Sequence, residues 1–386
     1  MRVLEGLFWL SLLALAYTYV GYPALMCAWG AVRPRRSCVS ATKSATKSMI
    51  SVVIIAHNEA SRIGARLENL LKLDYPRDRL EVIVASDGST DDTVERARAY
   101  ERAGVVVIAC DRRRGKPSVL NEVVPRATGD IVVLADARQR FQSTALAAVV
   151  RHFADPGVGA VSGELVLTRN GEATTVGEGV GFYWRYEKLI RKSESRADST
   201  VGATGAIYAI RRRLFEPLAA DTILDDVLVP MRIARRGYRV LFESDARAYD
   251  HVAPTAREEF RRKVRTIAGN FQLFAREPWL LSPFQNRLWF QTVSHKGLRL
   301  TAPVFHATAL GANLIVAAQP MYRYMLAAQI VFYVVALGGF ALRNTRRRLP
   351  LIAVPYTICL LSWATAIAFV RYVTGRQKVT WDHAPI

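Results

Sequence analysis

Acidic side chains at the ends of apolar runs are the residues of this 386-residue chain best suited to chemistry. Asp136 closes Gly129-Asp130-Ile131-Val132-Val133-Leu134-Ala135 and is followed at once by polar residues. The run reads as a buried central strand. In an open α/β sheet, ligands bind outside the carboxyl ends of the strands, so a carboxylate there can hold a metal or a nucleotide. A lone aspartate in that place also serves as a helix cap; repetition is what sets this one apart. A second apolar run, Val82-Ile83-Val84-Ala85, ends in Ser86-Asp87-Gly88-Ser89-Thr90-Asp91-Asp92, and Asp225-Asp226 follows Thr222-Ile223-Leu224. Acidic residues are favourable at a helix N-terminus, which accounts for one of that last pair better than for two. Like charges in an apolar setting raise a carboxyl pKa towards general-base use.

Two basic groups complement these acids. Lys116, in Arg114-Gly115-Lys116-Pro117, stands where a helix N-terminus favours anions; as one cation in the Arg112–Lys116 run it also reads as a solvated lysine. Arg262 and Arg265, in Arg261-Arg262-Lys263-Val264-Arg265-Thr266, offer paired donors matched to phosphate oxygens, or a solvated helix face. Together the parts suffice to displace a nucleoside diphosphate from a sugar. A metal and arginines would stabilise the leaving diphosphate, and a base would take the acceptor hydroxyl proton. Such a single displacement inverts the anomeric centre.

The elements that must position these groups alternate. Strands are expected at Lys47–Ala56, Leu80–Ala85, Val105–Ala109, Gly129–Asp136 and Val158–Ser162. Helices are expected at Ala60–Leu73, Asp91–Ala103 and Pro117–Arg126. That order implies a doubly wound α/β fold, mostly parallel. No GxGxxG follows the first strand and no GxxxxGK[ST] occurs, which argues against dinucleotide and P-loop sites. Further on, Gly177–Ser195 is an amphipathic helix with an aromatic face. It would cover a substrate cleft, rest on lipid headgroups or pack in the core. Helices are also expected from Asp225 to about Arg236 and from Glu258 to Phe274.

Composition points to a membrane. The formal charge of +20 accompanies 51% hydrophobic residues, and the basic residues form no groove-reading module, so a nucleic-acid partner is not expected. Leu4–Val32 is long enough to cross a bilayer core of roughly 30 Å, as are about Leu300–Gln319, Met321–Leu342 and Leu349–Val373. Arg33, Arg35, Arg36, Lys43 and Lys47 follow the first run; Arg343, Arg346, Arg347 and Arg348 follow the third. By the positive-inside rule both clusters face the cytoplasm with the soluble domain. Arg371, Arg376 and Lys378 fit four full spans less well. The four cysteines, Cys27, Cys38, Cys110 and Cys359, show no metal or disulfide spacing, in keeping with a reducing compartment. The expected layout is an anchor (1–32), a basic linker (33–48), a catalytic domain (49–254), amphipathic interface helices (255–298), membrane helices (299–373) and a tail (374–386).

The ordered set of motifs resembles the membrane-anchored family 2 glycosyltransferases of GT-A fold, related to chitin, hyaluronan and cellulose synthases, over about Ser51 to Thr266. The resemblance implies a Rossmann-like sheet with one N-terminal and about three C-terminal transmembrane helices, in an inner-membrane enzyme. Ala56-His57-Asn58-Glu59 matches the first-strand motif that meets the nucleoside, which implicates Ala56, Asn58 and Glu59. Asp87 matches the aspartate that reads the uracil and ribose region. Lys116 matches a donor-contacting lysine and Asp136 the first acid of the metal-binding DxD, for Mg²⁺ or Mn²⁺. Asp226 matches the catalytic base, and Arg262 and Arg265 fall in the basic Q-x-x-R-W-like motif. Two departures stand out. Arg138 replaces the second DxD acid, so the metal would rest on Asp136, the diphosphate and Gln139 or water, or be supplemented by Arg138. Thr266 replaces the tryptophan that helps form the acceptor site of processive synthases. The implied activity is inverting transfer from a nucleotide sugar, a UDP-sugar by resemblance, to a lipid-linked or oligosaccharide acceptor beside membrane lipids. A processive polysaccharide synthase is the second reading, and a non-catalytic nucleotide-sugar-binding scaffold the third.

Overall fold

A computed structural model describes residues 1–35, 48–168, 175–251, 256–342 and 350–377. Cys38, Arg36, Lys43, Lys47, Arg343, Arg346, Arg347, Arg348 and Lys378 lie outside the described residues. The chain opens with helix α1 (Arg2–Val32), which loosens to π-type hydrogen bonding at Tyr17–Gly21. The sheet strands are β1 (Ile50–Ala56), β2 (Leu80–Asp87), β3 (Val105–Cys110), β4 (Ile131–Asp136), β5 (Arg140–Phe141), β6 (Val158–Thr168), β7 (Tyr208–Arg211) and β8 (Arg239–His251). Between them run α2 (Ala60–Leu71), α3 (Thr93–Arg98), α4 (Lys116–Arg126), α5 (Ala145–Val150), α6 (Thr175–Ala197) and α7 (Asp225–Arg235). Then follow α8 (Ala256–Arg276), α9 (Leu298–Val316), α10 (Pro320–Ala341) and α11 (Pro350–Val373).

One sheet, ordered β3-β2-β1-β4-β7-β6-β8-β5, carries the soluble part. β1 to β4 pair in parallel, as alternating strands and helices require. Its second half departs from that pattern: β7 runs antiparallel to both β4 and β6, while β8 runs parallel to β6. The expected fifth strand extends past Ser162 to Thr168 because it borders β8 over much of its length. Buried apolar side chains fill both faces, as a central sheet needs. Val52 and Ile54 meet Ile63, Leu67 and Leu70 of α2 on one side. On the other, Val53 and Leu134 meet Val119 and Val123 of α4 and Leu228 of α7. Each such side chain contributes about 1.5–3 kcal/mol when taken from water.

Register decides what the sheet presents. Ala56 pairs with Ser86, Asp87 with Cys110, and Ile55 with Asp136. The carboxyl ends of β1, β2 and β4 are therefore level, and Ala56, Asp87 and Asp136 share one edge.

Among the described residues three helices are long and apolar enough to cross a membrane: α1, α10 and the Leu351–Val373 part of α11. One is N-terminal and two are C-terminal, where about three C-terminal spans were expected. Most of Leu300–Gln319 folds into α9, whose Arg299, His306 and Asn313 interrupt its apolar character. α9 lies beside α1, where Phe8 packs on Ala309, Ala312 and Val316. The aromatic face of α6 is used for packing, with Tyr186 and Ile190 against Tyr22 and Met26 of α1. Buried polar bonds reinforce that joint. Tyr22 Oη donates to Glu194 Oε1 over 2.5 Å, and His295 bridges Glu194 (2.8 Å) and Glu187 (3.1 Å) through its two ring nitrogens.

Candidate active site

Ala56, Glu59, Asp87, Lys116, Asp136 and Arg265 line one pocket at the level strand ends. Arg138, Asp225, Arg113 and Thr222 are also part of its wall. Asp87 is held by the loop before α4: its Oδ1 accepts from Arg114 N–H (2.6 Å) and its Oδ2 from Gly115 N–H (2.9 Å). The turn after Asp87 needs Gly88, at φ +60°, where a Cβ would lie 2.3 Å from Arg113 N. His57 Nδ1 reaches the Asp87 carbonyl oxygen at 2.8 Å, tying the β1 and β2 loops together.

Lys116, at the first position of α4, points its ammonium between two carboxylates. Nζ lies 3.3 Å from Asp136 Oδ1 and 3.2 Å from Asp225 Oδ2. Burial disfavours its charge, but Asp225, Asp136 and Asp226 outweigh that and raise its pKa above the ordinary lysine value. Asp225 also accepts from Tyr208 Oη of β7 at 3.3 Å. Its neighbour Asp226 is placed differently. Gly205 N–H donates to Asp226 Oδ2 over 3.0 Å, and the Ala203 N–H donates to the Asp226 carbonyl over 2.7 Å. Burial and the adjacent Asp225 push the Asp226 carboxyl up to about 6, against the opposing pull of Lys116, Lys296 and Arg191. A carboxyl poised there is ionised at neutral pH yet basic enough to accept a proton. Asp226 does not line the strand-end pocket itself. Its electrostatic partners Lys296 and Arg191 line the next cavity, which Thr266 borders one residue beyond Arg265.

Three sequence expectations land elsewhere. Asn58, with a left-handed φ of 54°, turns its side chain to the Thr90 N–H (2.8 Å) and shapes the loop without lining the pocket. Arg262 pairs with Glu258 one turn back on α8 and also lies off the pocket. Gln139 is buried, lies off the pocket, and donates from Nε2 to Asp250 Oδ2 over 3.0 Å. Arg138 is drawn to the same carboxylate, Nε to Oδ2 2.9 Å, although it still borders the pocket. Sequence reasoning missed Tyr208, Asp250 and the bond from Gly205 N–H to Asp226.

Among the described residues no group of three or more His, Cys, Asp or Glu is placed to hold a metal. Asp136 fits an ion of the Mg²⁺ type, which keeps several waters and binds through one or two carboxylates plus substrate phosphates.

The fold and these strand-end acids define a GT-A-like glycosyltransferase architecture. Residues 51–218 match the family model "Glycosyl transferase family 2". Among curated proteins it is similar to the poly-beta-1,6-N-acetyl-D-glucosamine synthase of Staphylococcus aureus, 25% identical over 240 residues. That match covers 59% of this chain and 56% of the relative. A probable glycosyltransferase of Bacillus subtilis, YdaM, is 28% identical over 241 residues, covering 57% of this chain and 55% of the relative. The chain thus matches only about half the length of these curated relatives. Among solved structures, the mannosyltransferase PcManGT of Pyrobaculum calidifontis, in complex with GDP-Man and Mn²⁺, aligns with a TM-score of 0.71 at 24% identity. It covers 96% of this chain and 99% of its own, a likeness of fold.

Proposed function

We propose that the chain is an inverting glycosyltransferase that moves a sugar from a nucleotide-sugar donor, a UDP-sugar by resemblance, to a lipid-linked or oligosaccharide acceptor at a membrane. The observation that carries this reading is the Asp226 carboxyl, raised to about 6 and hydrogen-bonded by Gly205, next to the pocket that holds Asp87, Lys116, Asp136 and Arg265. Asp87 and the β1 end would take the nucleoside, and Lys116 and Arg265 the diphosphate. Asp136 would hold Mg²⁺ or Mn²⁺ together with the diphosphate oxygens; when bound, the ion neutralises charge on the leaving group. Asp226 takes the acceptor hydroxyl proton as the oxygen attacks C1 and the C1–O bond to the diphosphate breaks. Position supports the assignment of Asp226 over Asp225: the latter is already engaged by Lys116 and Tyr208. The raised Lys116 pKa keeps it cationic whenever the donor arrives.

The apolar helices α1, α10 and α11 support a membrane setting; an inner-membrane location with the sheet domain in the cytoplasm accords with Arg33 and Arg35 following α1. The test is nucleotide release by the purified full chain in detergent. It would use a panel of UDP- and GDP-sugars, Mg²⁺ or Mn²⁺ and a membrane lipid extract. Metal-dependent release from one donor, absent in Asp226→Asn, is the expected result. Release unchanged in the variant would remove Asp226 from the chemistry.

A further inference from the structure

A second cavity, of about 390 Å³, lies where α6, α8 and the Thr292–Gly297 turn meet α1 and α11. Its lining is divided in character. Arg191, Lys263, Lys296 and Arg299 supply four cations, against the single carboxylate of Glu187. That carboxylate is already taken by Arg299 and by His295. Lys263 sits 4.0 Å above the Tyr183 ring and 3.8 Å from Glu259. Among the described residues Lys296 and Arg191 make no side-chain hydrogen bond or ion pair, and Arg191 Nε is buried without a partner. Cations withdrawn from water without a counter-charge are costly unless an anion joins them. Burial and the nearby Arg191 push the Lys296 ammonium down to about 8, in keeping with an unmet demand for negative charge.

Part of the remaining lining is apolar and belongs to helices that are long and apolar enough to cross a membrane. Val20 comes from α1, and Val354, Ile358 and Leu361 from α11. A ligand that satisfies both halves has an anionic group at one end of the cavity and a hydrocarbon chain at the other. Lys296 and Arg191 also act on the Asp226 carboxyl, so the anionic end lies towards the proposed base.

We propose that this cavity binds the acceptor, and that the acceptor is an amphiphile whose phosphate or diphosphate sits on Arg191, Lys263 and Lys296 while its lipid chain leaves between α1 and α11. A hydroxyl on the head beyond the phosphate then faces Asp226. This rests on the glycosyltransferase reading and narrows its acceptor to a phosphate-linked lipid. The step stays balanced: the hydroxyl proton goes to Asp226, the new C1–O bond forms, and the nucleoside diphosphate departs with the electron pair of the broken bond.

Dodecyl phosphate, dodecanol and inorganic phosphate are the probes, added to the full chain in neutral detergent. Binding is followed by quenching of tryptophan fluorescence, since Trp184 lines the cavity. Inhibition of nucleotide release driven by the lipid extract is followed in parallel. Dodecyl phosphate should bind at least about tenfold more tightly than dodecanol or inorganic phosphate, the gain expected of a charge-assisted contact. It should compete with the extract and not with the donor. Lys296→Gln and Arg191→Gln, two independent variants, should each weaken its binding about tenfold and leave donor affinity unchanged. Equal binding of dodecanol, equal binding of inorganic phosphate, or competition with the donor would each overturn the proposal. Donor affinity separates the two readings: loss of all donor binding in the wild type refutes the transferase, while the fluorescence titration still reads the cavity.

Discussion

The backbone N–H of Gly205 donates to Oδ2 of Asp226 over 3.0 Å. That bond crosses from the loop before β7 to the first turn of α7, two segments 21 residues apart. It holds the carboxylate without supplying a cation. Asp225, one residue earlier, has Lys116 at 3.2 Å. Adjacent acids of one type are thus given different surroundings, and their roles separate.

The first consequence is a pH profile. Asp226 must be ionised to accept a proton, and its folded pKa is about 6. Burial and Asp225 raise it; Lys116, Lys296 and Arg191 oppose. Turnover per unit of free donor should therefore fall below pH 6, approaching tenfold per pH unit. A profile flat down to pH 5 would contradict the assignment.

A second consequence concerns stability. A carboxyl whose folded pKa lies above its unfolded value contributes stability below the unfolded pKa and loses it as pH rises through the folded one. At pH 7.5 ionised Asp226 is therefore a burden on the fold, and Asp226→Asn should melt at the same temperature or higher. Thermal unfolding in detergent checks this; a lower melting temperature would show that the charge itself supports the fold.

Lys116 behaves in the opposite way. Removing it in Lys116→Ala leaves Asp225, which is buried, facing Asp136 with no cation between them. The expected cost is about 3–5 kcal/mol of stability, as for other broken buried pairs, with loss of donor affinity. Isothermal titration with nucleotide and thermal unfolding report the two separately.

Arg265 and Arg262 provide an internal control. Arg265 lines the pocket, and its charge meets Asp225, Asp226 and Asp136, whereas Arg262 is paired with Glu258 off the pocket. Arg265→Ala should lower turnover about 10²-fold or more, the scale of losing one preorganised donor to a leaving group. Arg262→Ala should stay within about threefold, the cost of an exposed i,i+4 pair. Equal losses would put Arg262 into the donor site after all.

Much of the strand-end edge was legible in the sequence, and for a plain reason. Ala56, Asp87 and Asp136 each follow an apolar run, and level parallel strands bring their ends together. The antiparallel β7 was not legible, because its pairing with β4 and β6 joins segments far apart in the chain. Asn58 and Arg262 were placed by motif, yet local partners, the Thr90 N–H and Glu258, turn their side chains aside. Arg138 looked like a substitute for metal charge. Its draw towards Asp250, a residue of the distant β8, could not be read from the motif. Apolarity of the Leu300–Gln319 run overstated its fitness as a span, since Arg299, His306 and Asn313 lie on the helix it forms.

The most direct test of the central claim measures donor affinity and turnover on the same preparation of Asp226→Asn. Donor Kd should stay within about threefold of the wild type while turnover falls by about 10³-fold, within the range for loss of a general base. Turnover retained within tenfold would contradict it, and so would a parallel collapse of donor binding in a variant that still unfolds at the wild-type temperature.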